Sequence, residues 1–338
     1  MKKVTILLFT FILFSLISCK NSEKAWSELP KETNISSLKQ TAFAPTLESQ
    51  VSPGKNIIYA PALLYAWEKI EQKFKQPIVV NAANSKDFIL LNQSTSYKNS
   101  LNGNEHSADA EVVDGAIVAR AFFNKTLPFP TRLQKLDNVL TFDKEKVAAF
   151  GMRYFDEEAI KFTEILYYKN DNNFVLKLMP KDNGHEILLT KGVAEFTSLA
   201  EGVKAAERLI ALGGKEKSEP KQYWKYSFNP EDIFYVPSLK FNIATNYKEL
   251  EGQVFKSGGK EHFIETAYQR TGFILNENGA VVESEVMAVV DSVAAPSPEI
   301  HPKRMIFDKP FLIIVKHTNS KNPYFVMKVA TSELMVKE

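Results

Sequence analysis

The side chains that could carry out chemistry in this chain are few, and they are spread along its whole length. The histidines stand far apart in sequence, at His106, His185, His262, His301 and His317. They do not form the HExxH spacing of zinc hydrolases, and the sequence contains neither a GxSxG nucleophile elbow nor a phosphate-binding P-loop. The single cysteine also excludes a zinc site built from several thiolates. The sequence therefore predicts no enzyme, no cofactor and no metal site.

Other features that could be mistaken for functional groups have a simpler interpretation. Glu157 and Glu158 are adjacent carboxylates, but neighbours in sequence rarely share a face, so a solvated turn is favoured. His317 ends a strongly apolar run, where a hydrogen-bonded structural histidine is favoured over a catalytic one. The pairs Gly213-Gly214 and Gly258-Gly259 predict turns rather than phosphate-binding loops.

The only cysteine has a role that its surroundings predict. Lys2 and Lys3 precede an apolar run over residues 4–17, which is shorter than the about 20 residues of a membrane span and suits a signal peptide. The Leu-Ile-Ser-Cys sequence that ends at Cys19 resembles the bacterial lipobox, whose cysteine is acylated and becomes the new N-terminus. We therefore predict that Cys19 carries palmitate-type lipid, each buried CH₂ of which contributes about 0.8 kcal/mol to membrane binding. The alternative is an ordinary signal peptide or anchor with an incidental cysteine.

The predicted lipid anchor divides the chain into three parts. Residues 1–18 form the lipoprotein signal peptide, residues 19–50 a polar tether, and residues 51–338 one folded domain. The protein is therefore expected outside the cytoplasm, as a membrane-anchored bacterial lipoprotein on the periplasmic face or the cell surface. Its membrane contact would be the lipid on Cys19.

The composition is that of an ordinary globular chain. The 338 residues are 44% hydrophobic and 24% charged, which provides enough apolar material for a sizeable core. The 42 Lys and Arg residues nearly balance the 40 Asp and Glu residues, so the charge does not indicate a nucleic-acid partner. The 24 phenylalanines are expected to fill the core, because stacking on single-stranded nucleic acid would need accompanying basic stripes.

Hydrophobic periodicity predicts helices and strands in an irregular order. One helix is expected after Pro61 and another over residues 193–212, closed by Gly213-Gly214. Residues 84–114 are polar and predict helix fragments and loop. Strands are expected at 116–123, 165–168, 174–179, 234–243, 271–275, 311–317 and 324–329. Because strands and helices do not alternate, the fold class is α+β.

The last third of the chain resembles a known family. Residues 305–315 combine an aromatic residue, an acid, a base and Pro310-Phe311 with a buried strand, and they resemble the serpin signature. Residues 319–329 resemble the hairpin that ends serpin chains, and residues 269–279 resemble the strand that leads into the serpin reactive loop. Weaker matches keep the order of the family at 56–61, 154–158, 179–180 and 236–241. The resemblance spans roughly residues 51–338.

The resemblance implies an architecture and a mechanism. The chain is expected to have a large mixed central β-sheet, a barrel-like second sheet, helices around them and an exposed reactive-type loop. In serpins, cleavage lets this loop insert as a strand into the central sheet and carry the acylated protease with it. The resemblance places the hinge of the loop at residues 279–288, with Gly279, Ala280, Val282 and Ser284 as candidate hinge residues.

The loop sequence neither requires nor forbids insertion. Alternate residues of an inserted strand face the core, so Val282 and Val286 would need more room there than the alanines usual in inhibitors. Two ways of counting give different scissile bonds. Counting from Gly279 points to the region of Val293, Ala294 and Ala295, whereas counting back from Pro310 points nearer to Glu299.

Departures from the family pattern lead to the predicted function. Ala60 and Gln269 stand where typical members carry a serine and a histidine that form a polar latch under the sliding strands. Residues 100–116 are too few for the strands and the covering helix expected there. We therefore predict a monomeric, divergent member with lost or reduced protease inhibition, which binds an extracellular protease or another surface protein through its loop at 280–303. The alternative is an active suicide inhibitor of extracellular serine or cysteine endopeptidases.

Overall fold

The computed structural model describes residues 29–74, 76–103, 105–193, 195–280 and 302–338. The helices are α1 (Ala62–Phe74), α2 (Lys86–Gln93), α3 (Glu157–Lys161) and α4 (Leu199–Glu216), and short 3-10 helices lie at Ile35–Ser37, Tyr223–Tyr226 and Ser332–Leu334. The strands are β1 (Thr33–Asn34), β2 (Thr41–Phe43), β3 (Asn56–Tyr59), β4 (Ser107–Val113), β5 (Ala116–Asn124), β6 (Leu127–Pro128), β7 (Gln134–Phe142), β8 (Glu145–Met152), β9 (Thr163–Asn170), β10 (Asn173–Leu178), β11 (His185–Lys191), β12 (Ile233–Pro237), β13 (Leu239–Asn246), β14 (Val254–Ser257), β15 (Lys260–Leu275), β16 (Gly279–Ala280), β17 (Arg304–Ile306), β18 (Phe311–His317) and β19 (Phe325–Val329).

The central sheet mixes parallel and antiparallel pairs. Its strands lie in the order β1-β13-β15-β5-β4, and β14 pairs with the first residues of β15. Strand β15 is antiparallel to β13 but parallel to β5, and β4 returns antiparallel to β5. Alternate residues of β5 are buried, so one face of this strand packs against the core.

A second sheet contains the most apolar strands of the chain. Its seven strands follow the order β2-β3-β19-β18-β11-β10-β9. Every residue of β19 is buried, as are the first five residues of β18, which explains why these segments are continuous apolar runs rather than alternating ones. A third sheet has the order β17-β12-β8-β7, and β16 pairs with β6. These mixed sheets with helices around them confirm the predicted α+β class.

Helix α1 begins after Pro61 as predicted and packs against the central sheet. The fixed φ of a proline suits the first turn of a helix, and the Pro61 carbonyl accepts the N–H of Tyr65 at 3.1 Å. Most of the first two turns are buried, and the helix contacts β4, β5 and β15. Trp67 also meets Phe88 of α2 and Phe255 of β14 edge to face, at 5.3 and 5.7 Å between ring centres. These aromatic contacts join α1, α2 and the central sheet.

The packed domain begins earlier than the predicted tether allows. Strand β1 pairs with β13, and β2 pairs with β3. The N–H groups of Lys39 and Gln40 donate to the Glu333 carboxylate at 2.9 and 3.0 Å, which ties this segment to the end of the chain. The boundary at residue 50 was therefore placed too late, because short polar strands carry a weak hydrophobic signal.

The second predicted helix was shifted along the chain. Helix α4 starts at Leu199 because the Ser198 hydroxyl caps it, accepting the N–H of Glu201 at 3.3 Å. Gly213 lies inside the helix instead of closing it. A Cβ at Gly213 would lie 1.9 Å from the carbonyl oxygen of Leu166, so the glycine permits close packing of α4 on β9.

Three strand predictions also need correction. Residues 234–243 form two strands, β12 and β13, which belong to different sheets. Strand β15 begins at Lys260 rather than Thr271, and β4 lies within the polar stretch that predicted loop. The missed parts alternate buried and exposed residues, and their polar exposed residues mask the strand signal. Between α2 and β4 the described residues form no helix, which agrees with the shortness of this region in the sequence.

Across the described part of the chain, the helices are too short or too polar to span a lipid bilayer.

Candidate functional site

The parallel strands β5 and β15, here called the seam, run side by side through the central sheet. Their pairing extends from Ala116 opposite Phe263 to Asn124 opposite Gly272. Both neighbours on the outer sides of the seam, β4 and β13, are antiparallel to it. Parallel ladders are slightly less stable per residue than antiparallel ones. The seam is thus a parallel junction between antiparallel neighbours, and it is the long parallel pair of this sheet, since the other, β1 with β13, is two residues long.

After β15 the chain makes a turn that is bonded to the segment following β5. Asn276 and Gly279 exchange N–H···O bonds of 3.0 Å, and the carbonyls of Asn278 and Glu277 accept the N–H groups of Phe129 and Leu133 at 2.9 Å each. Gly279 and Ala280 then pair with Pro128 and Leu127 in the two-stranded ladder. We call residues 276–280 with residues 127–133 the clasp. It holds residues 276–280 against the segment that follows β5.

Gly279 is required by the geometry of the clasp. Its φ of +111° lies in a region that side chains with a Cβ rarely adopt, and a Cβ there would lie 2.4 Å from the carbonyl oxygen of Leu127. Ala280 follows it and is buried. Gly279 and Ala280, which the sequence predicted as hinge residues, are thus the last described residues before 281–301 and are held by the clasp.

The remaining predicted site residues lie outside the described residues. They are the lipidation site Cys19, the hinge residues Val282 and Ser284, and the candidate scissile region at Val293, Ala294, Ala295 and Glu299. Their roles stay predictions.

The other end of the loop is anchored by a buried ion pair. The ammonium group of Lys303 lies 2.7 Å from Asp232 Oδ2, and neither side chain has any solvent exposure. The ammonium group also donates to the carbonyls of Trp224 and Ser227, and the Lys303 N–H donates to Asp232 Oδ1 at 2.7 Å. A buried charge is tolerated only when it is satisfied in this way. The described residues on either side of 281–301 are therefore both fixed to the domain.

Gln269 of β15 connects the seam to helix α1. Its Oε1 accepts the N–H of Leu63, in the first turn of α1, at 3.3 Å, and its Nε2 donates to Thr271 at 3.0 Å. Gln269 and Thr271 are fully buried. The first four N–H groups of a helix lack acceptors within the helix, and Gln269 provides the acceptor for one of these groups. The position that departs from the family pattern in the sequence is thus an intact polar contact in the structure.

A second group of functional side chains lies at one end of the second sheet. His185 and His317 are directly opposite each other on β11 and β18. Their rings are 4.1 Å apart between centres, and His317 Nε2 lies 2.9 Å from Glu105 Oε2. The nearest ligand-type atoms of Glu105, His185 and His317 all lie within 4.8 Å of one another. We call these three residues the histidine cluster.

Glu105 is held as a carboxylate by its neighbours. The Asn102 N–H donates to Oε2 at 2.7 Å, and the ammonium group of Lys125 pairs with Oε1. Burial alone would raise the pKa of Glu105, but the hydrogen bonds from Lys125, Asn102 and His317 lower it to about 2. Glu105 is therefore negatively charged at neutral pH.

His185 is oriented by contacts on both ring nitrogens. Its Nδ1 lies 3.0 Å from the hydroxyl of Tyr324, and its Nε2 lies 3.3 Å from Asp182 Oδ2 and 3.7 Å from Glu105 Oε1. Burial and, in the same direction, the neighbouring Lys125 and His317 side chains lower the pKa of His185 to about 4. The imidazole is neutral at neutral pH. A surface cavity of about 570 Å³, lined by His317, Asn102 and Asn319 among others, opens beside the cluster.

Sequence reasoning missed this cluster. It treated His317 as a structural histidine and the five histidines as scattered, because Glu105 and His317 are 212 residues apart in the chain. The sequence analysis predicted the strand that His317 ends but not the strand that His185 begins. The register that places them opposite each other cannot be read from the sequence.

Comparisons with known proteins give a likeness of fold. No protein-family model matches the chain, and no curated protein sequence matches it. Similar solved structures include Serpin48 of the insect Tenebrio molitor (18% identity, TM-score 0.32), the thermophilic serpin Tengpin in its native state (13%, 0.35) and uncleaved ovalbumin (14%, 0.38). Each match covers 64% of this chain and 55–57% of the other chain, so the chain spans little more than half the length of these proteins. The serpin likeness predicted from the sequence agrees with these matches, which at such scores carry no conclusion about activity.

Proposed function

We propose that this chain is a divergent serpin-like lipoprotein, exported and anchored through Cys19, whose protease inhibition is lost or reduced. Its residues 280–303 would bind an extracellular protease or another surface protein. The observation that carries the proposal is the clasp. Suicide inhibition requires the hinge to enter the central sheet, and the clasp pairs the first hinge residues with a different segment.

Three groups of contacts oppose insertion of the loop. Ala280 would have to leave its pairing with Leu127. The ladder from Ala116–Phe263 to Asn124–Gly272 would have to open along the seam. Helix α1 contacts both strands of the seam, and Gln269 bonds it to one of them, so separating the strands would disturb the base of the helix. Each step costs free energy before the inserted strand gains its own hydrogen bonds, so the barrier to insertion is high.

The alternative function, active suicide inhibition, is favoured by the direction of the strands. A strand that folds back after β15 and enters the seam would run antiparallel to both β15 and β5. It would replace one parallel ladder with two antiparallel ladders, which are the more stable kind. The form with the loop inserted would therefore be favoured thermodynamically. The two functions differ in the height of the barrier to insertion rather than in the stability of the inserted form.

The exported, lipid-anchored location is proposed from the sequence of the first 19 residues. A direct check is metabolic labelling with a palmitate analogue in a bacterial host, comparing the full chain with Cys19→Ser. We expect label and detergent-phase partitioning for the full chain and neither for the variant. Equal partitioning of the two chains would contradict the anchor.

The experiment that separates the two functions is incubation of the full chain with a panel of serine and cysteine endopeptidases. We expect cleavage within 281–301, no SDS-resistant complex, and an unchanged melting temperature of the cleaved protein. An SDS-resistant complex, or a large rise in melting temperature after cleavage, would contradict the proposal and favour the inhibitor.

Hinge variants sharpen this experiment. Val282→Ala with Val286→Ala removes bulk from the face that would be buried on insertion, whereas Val281→Ala with Met287→Ala removes it from the opposite face. If the clasp sets the barrier, neither pair produces an SDS-resistant complex. If hinge bulk sets it, only the first pair does.

A further inference from the structure

The histidine cluster brings together ligand atoms from three separate parts of the chain. Glu105 lies in the segment before β4, His185 begins β11, and His317 ends β18. Directly opposed residues on antiparallel strands have Cβ atoms about 4.5–5.5 Å apart, which lets two imidazoles reach the same point. Glu105 approaches that point from the central sheet. The cluster therefore lies where the two sheets meet.

The separations between the ligand atoms match those around a small metal ion. A tetrahedral ion with bonds of about 2.1 Å holds its ligand atoms about 3.4 Å apart. The observed separations are 2.9 Å between His317 Nε2 and Glu105 Oε2, 3.3 Å between His185 Nε2 and Asp182 Oδ2, and 3.7 Å between His185 Nε2 and Glu105 Oε1. These values lie on both sides of the tetrahedral separation. Glu105, His185 and His317 are therefore spaced like the ligands of one small ion, and Asp182 approaches them from the side of His185.

The surroundings of the cluster have the features of an outer coordination shell. Metal-binding histidines usually bond their second ring nitrogen to a neighbouring polar group, and ligating carboxylates are themselves hydrogen-bonded. His185 uses Nδ1 for Tyr324, which leaves Nε2 facing the other ligands. Glu105 is held by the N–H of Asn102 and by Lys125. Asp182 accepts the N–H of Gly184 through Oδ1, which leaves Oδ2 facing His185.

We propose that Glu105, His185 and His317, with Asp182 as fourth ligand, form a structural site for a divalent transition-metal ion, and that Zn²⁺ fits it best. Two imidazole nitrogens and two carboxylate oxygens in tetrahedral arrangement are a zinc donor set, and four protein ligands make the site structural rather than catalytic. The ion would join the start of β4 in the central sheet to β11 and β18 in the second sheet. The cavity beside His317 gives it a path from solvent.

The positive charge of Lys125 repels a metal ion, so removing it should strengthen metal binding, whereas removing a ligand should weaken it. The ammonium group of Lys125 pairs with Glu105 Oε1, the oxygen that also lies 3.7 Å from His185 Nε2, so Lys125 would compete with the ion for Glu105. Removing the positive charge as Lys125→Met should strengthen Zn²⁺ binding about fifteenfold, the Coulomb effect of one positive charge about 5 Å from a doubly charged ion at the dielectric constant of water. An unchanged affinity would place Glu105 outside the coordination sphere and overturn the four-ligand set.

The experiment is a titration of the EDTA-stripped full chain with Zn²⁺ in competition with a chromophoric chelator. We expect Glu105→Gln and His317→Gln each to weaken binding about tenfold or more, as loss of a ligand or of its support does. His262→Gln removes a histidine outside the cluster and should leave the affinity unchanged. His317 and Glu105 are partly exposed, so these variants should fold, and thermal melting without metal checks this.

Cobalt provides a readout of geometry that does not depend on affinity. Co²⁺ in the same site should show the intense visible absorption of a tetrahedral ion, and this absorption should disappear in His317→Gln. A weak, octahedral-type spectrum would overturn the closed site. Equal Zn²⁺ affinities in wild type, Glu105→Gln and His317→Gln would overturn the assignment altogether.

Discussion

The clasp and the histidine cluster are both places where distant segments meet, but different parts of the residues hold them. In the clasp, main-chain N–H and C=O groups of residues 276–280 bond to residues 127–133, with one partly exposed side-chain ion pair, Arg132–Glu277, beside them, and Gly279 fits because it lacks a side chain. In the histidine cluster, the contacts run between side chains of Glu105, His185 and His317. The clasp therefore depends on the path of the backbone, and the cluster depends on the identity of its side chains.

This difference has consequences for stability and for binding. A Cβ added at Gly279 in the clasp would overlap the carbonyl oxygen of Leu127, so it should lower the free energy of unfolding. A side chain changed in the cluster leaves the backbone ladders of β11 and β18 intact, so it should cost binding more than folding. The variants below test this contrast, and each is measured by urea denaturation of the full chain unless another method is named.

The largest loss in the free energy of unfolding is expected at the ion pair of Lys303 and Asp232, a side-chain contact that is fully buried. Lys303→Met leaves the Asp232 carboxylate buried without its partner, which should lower the free energy of unfolding by about 3–5 kcal/mol. Arg304→Met, the exposed neighbour, is the control and should change it by less than about 0.5 kcal/mol. A loss below about 1 kcal/mol for Lys303→Met would mean that the fully buried ion pair stabilises the fold no more than the partly exposed contacts of the histidine cluster do.

The clasp should respond next most strongly. Gly279→Ala combines an unfavourable φ with a Cβ that overlaps the Leu127 carbonyl, so a loss of about 3 kcal/mol in the free energy of unfolding is expected.

The matched control for Gly279→Ala is Gly252→Ala. Gly252 also has a positive φ, +78°, but no atom lies within 4 Å of the added Cβ, so only the backbone strain of about 1–2 kcal/mol should appear. Equal losses in the two variants would show that the close approach to β6 is not what makes Gly279 necessary.

The sequence indicated one side of the clasp and none of the cluster. The family resemblance placed Gly279 and Ala280 in the hinge, and Pro61 indicated the start of α1, but no pattern indicated the pairing of the hinge with Leu127 and Pro128. The cluster depends on strand register and on the path of the segment around Glu105, and neither has a local signal. Short polar strands such as β1, β2 and β4 were missed because only long or strongly apolar strands stand out.

Gln269 lies between these two cases, because it is a side chain that satisfies a backbone group. Gln269→Leu leaves the buried N–H of Leu63 without its partner, so we expect a loss of about 2 kcal/mol and faster amide exchange along the seam, followed by hydrogen-exchange mass spectrometry. Thr271→Val removes only the partner of Nε2 and should cost about 1 kcal/mol, with little change in exchange. If Thr271→Val had the larger effect, the bond to helix α1 would not be what holds the seam.

The smallest effect on folding is expected in the histidine cluster, and there the contrast with the clasp is sharpest. Without metal, Glu105→Gln removes the ion pair with Lys125 and weakens the contact with His317, both partly exposed, and should cost only about 1 kcal/mol. With free Zn²⁺ at about 100 times the dissociation constant, wild type should gain about 2.7 kcal/mol, because an ion that binds only the folded state stabilises it by mass action. The variant, measured at the same Zn²⁺ concentration, should gain much less. A side chain that contributes little to the fold would then control about half or more of the metal-dependent stability, whereas in the clasp the backbone controls stability. An equal gain in both chains would show that Zn²⁺ stabilises the protein elsewhere, and the contrast between the two regions would then rest on the clasp alone.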